Sequence, residues 1–206
     1  MKNLCVFLLG ALVLVSGCAT VPYDYGQNLK PAGYYEMPEH EEQVEVGRPS
    51  KVLDSAGWLW GIPSKIILWN AKVDNHDVSD DTVDVIREYL ATNGLSCVKV
   101  RVNQYRPGGE WSRLFKNKHT NPVWRYTLGV LSVTFYTALP GRFFGGDNYN
   151  PFSNTVNLYS DLPAVALHEG GHAKDFAERT HKGTYAALSM LPFAGLYHEA
   201  VASNDA

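Results

Sequence analysis

Hydrophobic and polar positions alternate through residues 98–103, where Val98, Val100 and Val102 are separated by Lys99, Arg101 and Asn103. A period of two predicts a strand with one buried face. Before it, Val83, Ile86 and Leu90 recur at helical spacing behind Ser79, a good N-cap, with Asp80 and Asp81 in the first turn. Asn93-Gly94 ends that predicted helix. Arg106-Pro107-Gly108-Gly109 breaks the strand, and a short helix is expected at residues 111–116. Asn121-Pro122 opens a further helix. The apolar run 123–139 that follows, rich in Val and Thr and carrying Arg125, reads as buried or amphipathic helix, with a strand pair as the alternative. Residues 147–159 read as a loop feeding a short edge strand at 155–159. Ser160 or Asp161 then caps a helix that tolerates Pro163 in its first turn. Residues 184–197, with Pro192 inside, are expected as two helical pieces.

The N-terminus follows neither period. Lys2 precedes an apolar run at residues 6–15, shorter than the ~20 residues that a spanning helix needs, and the pair reads as a secretory signal. The run ends in Val15-Ser16-Gly17-Cys18, which resembles the lipobox of bacterial lipoproteins. That resemblance implies cleavage before Cys18 and lipidation of its thiol and new N-terminus. Ala19, where an aspartate would resemble an inner-membrane retention signal, implies an outer-membrane anchor with the domain facing the periplasm. Each buried CH₂ of such an anchor contributes ~0.8 kcal/mol. Residues 19–50 hold Pro22, Pro31, Pro38, Pro49 and the acidic patch Glu39-His40-Glu41-Glu42 without apolar periodicity, and read as a flexible tether. The chain thus divides into a signal peptide (1–17), a lipidated tether (18–50) and one folded domain (51–206). The block of Trp58, Trp60, Ile62, Ile66, Ile67, Leu68 and Trp69 that opens this domain is expected to be partly helical after Pro63. It is expected to pack into the core, with membrane contact as the alternative.

Composition narrows the function. With 206 residues, 45% of them hydrophobic and 19% charged, the chain is neither disordered nor a coiled-coil rod. Its formal net charge of −3 and the lack of a basic stripe exclude nucleic acid as a partner. Of the three cysteines, Cys5 and Cys18 belong to the leader and anchor. Cys97 is expected as a buried free thiol, so no intramolecular disulfide is expected.

The chemical signal lies in the helix after residue 160: Ala164-Val165-Ala166-Leu167-His168-Glu169-Gly170-Gly171-His172-Ala173. Histidines four apart project from one helix face and reach the same ion, and zinc accepts such nitrogens at ~2.0–2.1 Å. Glu169 lies beside that ion, where a carboxylate can take a proton from water. This H-E-x-x-H pattern arises by chance in roughly one chain in a hundred of this composition. Two glycines inside a helix cost ~1 kcal/mol each relative to alanine, which calls for a close approach of a neighbouring backbone or of substrate.

The segment resembles the zincin metallopeptidases. Val165, Ala166, Gly170, Gly171 and Ala173 agree with their extended signature; Lys174 departs from it. The close resemblance covers about ten residues. It implies an α+β domain with a small sheet packed on the active-site helix, one zinc per chain, and hydrolysis of a peptide or protein substrate in the cell envelope. His168 and His172 are then metal ligands and Glu169 the general base. The metzincin continuation is absent after His172. In gluzincins of thermolysin type the third ligand is a downstream Glu, which selects Glu199; Asp175 and His198 are the alternatives. Ser203 stands where gluzincins carry an aspartate that orients a zinc-bound histidine. Tyr185, Tyr197 and His198 are candidate oxyanion donors. Two other classes remain open at this level: an inactive zincin-like lipoprotein that binds a partner or assists envelope assembly, and a zinc amidase acting on peptidoglycan.

Overall fold

Residues 32–144 and 146–205 are described by a computed structural model. The sheet has four strands, β1 (Val44–Val46), β2 (Lys99–Val102), β3 (Asn148–Asn150) and β4 (Thr155–Leu158), in the order β1-β2-β4-β3. The first, second and fourth run parallel, with Val44 opposite Val100 and Val100 opposite Val156; β3 returns antiparallel, with Tyr149 opposite Val156. The helices are α1 (Lys51–Trp60), α2 (Ile62–Ile67), α3 (Asp80–Thr92), α4 (Pro107–Lys116), α5 (Pro122–Trp124), α6 (Val130–Ala138), α7 (Gly141–Phe144), α8 (Pro163–Glu178), α9 (Lys182–Ser189) and α10 (Pro192–Asp205). A π-helical turn, Arg125–Gly129, joins α5 to α6. A small sheet with helices packed on it agrees with the α+β expectation at that level of description. No helix among the described residues is long and apolar enough to cross a membrane.

The two sheet faces are buried by opposite means. Val100, Val102, Val156 and Leu158 pack against Val83, Ile86 and Leu90 of α3 and Ala166, Ala173 and Ala177 of α8. The other face carries Lys99 and Arg101, both buried rather than solvated. Glu45 of β1 approaches Lys99 Nζ at 2.8 Å and Arg101 Nη1 at 2.7 Å. Glu110 of α4 accepts from Arg101 Nε at 2.8 Å and from Ser153 Oγ at 2.5 Å. Arg113 donates to the carbonyls of Ser153, Cys97 and Asn154. Cys97 is buried and free.

Four sequence readings are corrected here. The half-buried strand is buried on both faces, because acids from β1 and α4 neutralise its cations. Within the tether read at 18–50, the described part from Tyr34 to Val46 packs on the domain: Tyr34 stacks on His119, the Tyr35 N–H donates to Asn117, and Val44–Val46 joins the sheet. Three residues are too few to display an alternation. Residues 155–158 form an inner strand rather than an edge; β3 takes the edge, inside what read as loop. Finally, Leu162, not Ser160 or Asp161, is the N-cap of α8. Asp161 instead holds the start of α3, accepting from Ser79 N–H at 3.0 Å, Thr82 Oγ1 at 2.8 Å, Ser79 Oγ at 2.5 Å and Lys72 Nζ at 2.7 Å. The run 123–139 is helical but broken by the π turn, and residues 184–197 fall into α9 and α10 as expected.

Burial alone would raise the Asp161 carboxyl, but the bonds from Lys72, Ser79 and Thr82 outweigh it and hold the group well below the carboxylate range. A depressed folded-state value contributes stability above the unfolded value of ~3.9, lost as pH falls through the folded one. Asp161→Asn should cost about 1–3 kcal/mol at neutral pH, lowering Tm by about 2–10 °C. The gap to wild type should close between pH ~4 and 2; a gap independent of pH in circular-dichroism melts would contradict this account. A second expectation concerns the crossing of α3 and α8, where a Cβ on Gly170 would lie 2.8 Å from Tyr89 Cδ1 and 3.0 Å from Ile86 Cδ1. Overpacking costs about 1–3 kcal/mol against ~1 kcal/mol gained in helix propensity. Gly170→Ala should therefore lower Tm, and a rise would show that the contact yields freely.

Candidate metal centre

The middle of α8 is packed from both sides, by α3 and the sheet on one and α10 on the other. This explains a helix that keeps Glu169 through Ala177 buried with little amphipathic pattern in its sequence. His168 and His172, one turn apart, leave it side by side with ring centroids at 4.6 Å and planes at 81°. Pro192 starts α10 at the right distance to return Glu199 to the same point. Glu199 Oε2 lies 3.0 Å from His168 Nε2 and 3.5 Å from His172 Nε2. One ligand atom from each of the three falls within 4.8 Å of the others.

His168 Nδ1 lies 3.2 Å from Ser203 Oγ, one turn beyond Glu199 on α10, which leaves Nε2 as the ring atom on the Glu199 side. Burial, then His198 and His168, push the His172 imidazole down to about 3, so this ring is uncharged at neutral pH. Its Nδ1 is buried without a hydrogen-bond partner. Two imidazoles and a carboxylate around one point are the donor set of a three-ligand zinc site with an open position, so the residues fit that ion.

Glu169 reaches the edge of the sheet, where its carboxylate accepts the backbone N–H of Tyr149 in β3. Burial, then the neighbouring charges of Asp147 and Glu199, push its carboxyl up to about 8. Asp147 is itself held by the N–H groups of Tyr159 (2.6 Å) and Ser160 (3.1 Å). The part played by β3 and Asp147 was not visible in the sequence. Three polar-aromatic residues after a glycine pair carry no strand signal.

Asp175 and His198, the alternatives to Glu199, sit behind the cluster. Asp175 accepts from Tyr185 OH at 2.6 Å and from Arg179, and its Oδ2 is 3.3 Å from His198 Nδ1. His198 stacks on His172, centroids 4.1 Å apart, and faces Asp175 and Tyr185 with Nδ1. Asp175 thus orients His198, and His198 packs His172. Of the candidate oxyanion donors, Tyr185 is engaged with Asp175, His198 adjoins the cluster, and Tyr197 is exposed near the Arg179 guanidinium at 6.0 Å. Cys18, with the signal peptide and lipid anchor expected from the sequence, lies outside the described residues. The chain matches no family model, no curated protein and no solved structure.

Proposed function

We propose that this chain is a zinc-dependent peptidase of the cell envelope, anchored by lipid on Cys18, with His168, His172 and Glu199 as ligands and Glu169 as general base. The observation that carries the reading is the convergence of His168, His172 and Glu199 within 4.8 Å, directly beside a buried carboxylate on the same helix turn. The ion would be held by Nε2 of both histidines and a carboxylate oxygen of Glu199. When bound, zinc supplies a positive charge that polarises the scissile carbonyl and acidifies an attacking water. Glu169 would act as the general base, its carboxylate taking a proton from water and passing it to the departing amine once a bound cation favours its charged form. Ser203 holds the His168 ring at Nδ1; the His198 ring, steadied by Asp175 and Tyr185, braces His172. The edge strand β3 gives an extended substrate a border along which to add by strand pairing. A binding module that uses metal only as a staple would need no buried base at Glu169, and the retained carboxylate favours the enzyme.

The full chain should contain about one zinc, read by metal analysis after purification in detergent, and His168→Ala or His172→Ala should lower occupancy sharply. Glu199→Gln should weaken the metal and lose activity with it. Metal-free protein that takes up no zinc at micromolar concentration would overturn the site. Glu169→Gln should behave otherwise: zinc and melting temperature retained, peptide hydrolysis reduced about 10²–10⁴-fold. If that variant cleaves peptides at the wild-type rate, Glu169 is not the base.

A further inference from the structure

The protein turns an unusual amount of large apolar side chain outward. Ile66, Ile67, Leu68 and Trp69 follow one another at the end of α2; Ile67 is 76% exposed and Trp69 92%. Trp69 also has φ of 49°, a conformation that bulky residues rarely adopt, so the backbone is strained to hold that ring outward. Trp58 and Trp60 of α1 are exposed too, which corrects the core packing expected of this block from the sequence.

This surface does not stop at α2. Trp60 meets Phe144 of α7 edge to face at 5.2 Å. Phe144, Leu139 and Phe135 line one groove of about 420 Å³ along β3. Phe135, Leu131, Met190 and His198 line a second, of about 370 Å³, which shares Tyr149 and Pro151 with the first. His198 is the ring stacked on His172. Beyond it, Phe193 of α10 is 77% exposed. An apolar belt therefore runs from the tryptophans of α1 and α2, past the edge strand, to the metal cluster. Residues 126–141 and 183–197, which supply its middle and the part next to the metal cluster, contain no Asp, Glu, Lys or Arg.

We infer that this belt lies on a lipid surface, so that the metal cluster opens at the bilayer interface. Contiguous exposed apolar patches of this kind mark interaction sites. Three observations choose lipid as the occupant. Tryptophans gather at one end, and these rings prefer the membrane–water interface. Two of the contributing stretches, residues 126–141 and 183–197, are free of charge. The first described residue, Ala32, stands 14 residues beyond Cys18, a reach of at most ~50 Å, so on the proposed anchoring at Cys18 the domain is held close to the bilayer. Since no described helix is able to span, the contact is peripheral. The lipid contact stands apart from the zinc reading; only its consequence, that the substrate is a polypeptide held at that surface, rests on it.

The test uses the full chain in phosphatidylcholine–phosphatidylglycerol vesicles whose acyl chains carry bromine, a short-range quencher of indole fluorescence. Emission should fall at least about twofold relative to unbrominated vesicles, because rings at the interface reach the acyl chains. Changing Trp58, Trp60 and Trp69 together to Phe, a mild substitution at exposed positions, should abolish the quenching. Adding Phe193→Trp to that variant should restore it from the metal-site end. Vesicle-bound protein with unquenched emission would mean that an anchor alone holds the chain, and overturns the inference; so does failure to sediment with vesicles. Unquenched emission with self-association in solution would assign the belt to a second copy of this chain. Zinc is measured on the same preparation: quenching without zinc sinks the metal reading and leaves the lipid contact standing.

Discussion

A sheet whose second face is cationic can be buried only if the charge is cancelled in place. Lys99 and Arg101 are side by side on β2, and Arg113 of α4 lies over the same face, all three almost without solvent access. Glu45 and Glu110 meet them from opposite sides. Removing one partner of such a buried pair costs about 3–5 kcal/mol, because the remaining charge stays desolvated. This requirement fixes more than a local contact. It draws residues 44–46 into the sheet as a parallel strand, since Glu45 has to sit between the two cations. It sets α4 over the sheet through Glu110 and Arg113. Shifting β2 by one residue would point Val100 and Val102 at the acids and turn Lys99 and Arg101 into the apolar core.

With that register set, the opposite sheet face is wholly apolar and α8 can lie on it. The glycine at position 170 lets α3 cross close to α8, where Tyr89 and Ile86 leave no room for a Cβ. The crossing fixes the rotation of α8 about its axis, and rotation decides which way each member of the motif points. Glu169 faces the sheet edge, within reach of the Tyr149 N–H, while His168 and His172 face α10. Adjacent residues on a helix diverge by about 100°, so base and ligands separate without further device. Gly170, which weakens the helix locally, is what allows α3 to lie so close to it.

How legible this was from sequence depends on the range of the signals. His168, Glu169 and His172 share one helix, so their spacing alone predicted their common use. Ser79 and the acids after it marked the start of α3 for the same local reason. Glu199 needed the resemblance to a family, because no local rule relates it to a helix some thirty residues earlier. β1 and β3 were missed: each is three residues long, and a period of two cannot be seen in three positions. The burial of Lys99 and Arg101 was missed because it depends on acids more than fifty residues before β2 in one case and nine after Arg101 in the other. Asp161 stood where a cap of α8 was expected, yet its oxygens serve Ser79 and Thr82 across the fold. Sequence patterning reports what a residue's neighbours are doing, and these residues answer to distant partners.

The same long-range pairing accounts for the surface. A domain that places Lys99, Arg101, Arg113 and Glu110 inside has withdrawn those charges from its exterior. The stretches 126–141 and 183–197, which run through α6, most of α9 and the start of α10, have no compensating supply of charge. Polar interior and apolar exterior are therefore linked consequences of one distribution of charge along the chain. In water alone, the exposed side chains from Ile66 to Trp69 and from Leu188 to Tyr197 would favour association or collapse. A surface of this kind is stable where its surroundings are apolar as well. The metal cluster sits at the border of that surface, on the one side of α8 that neither α3 nor the sheet covers, so access to it and contact with the apolar surroundings are governed by the same helix, α10.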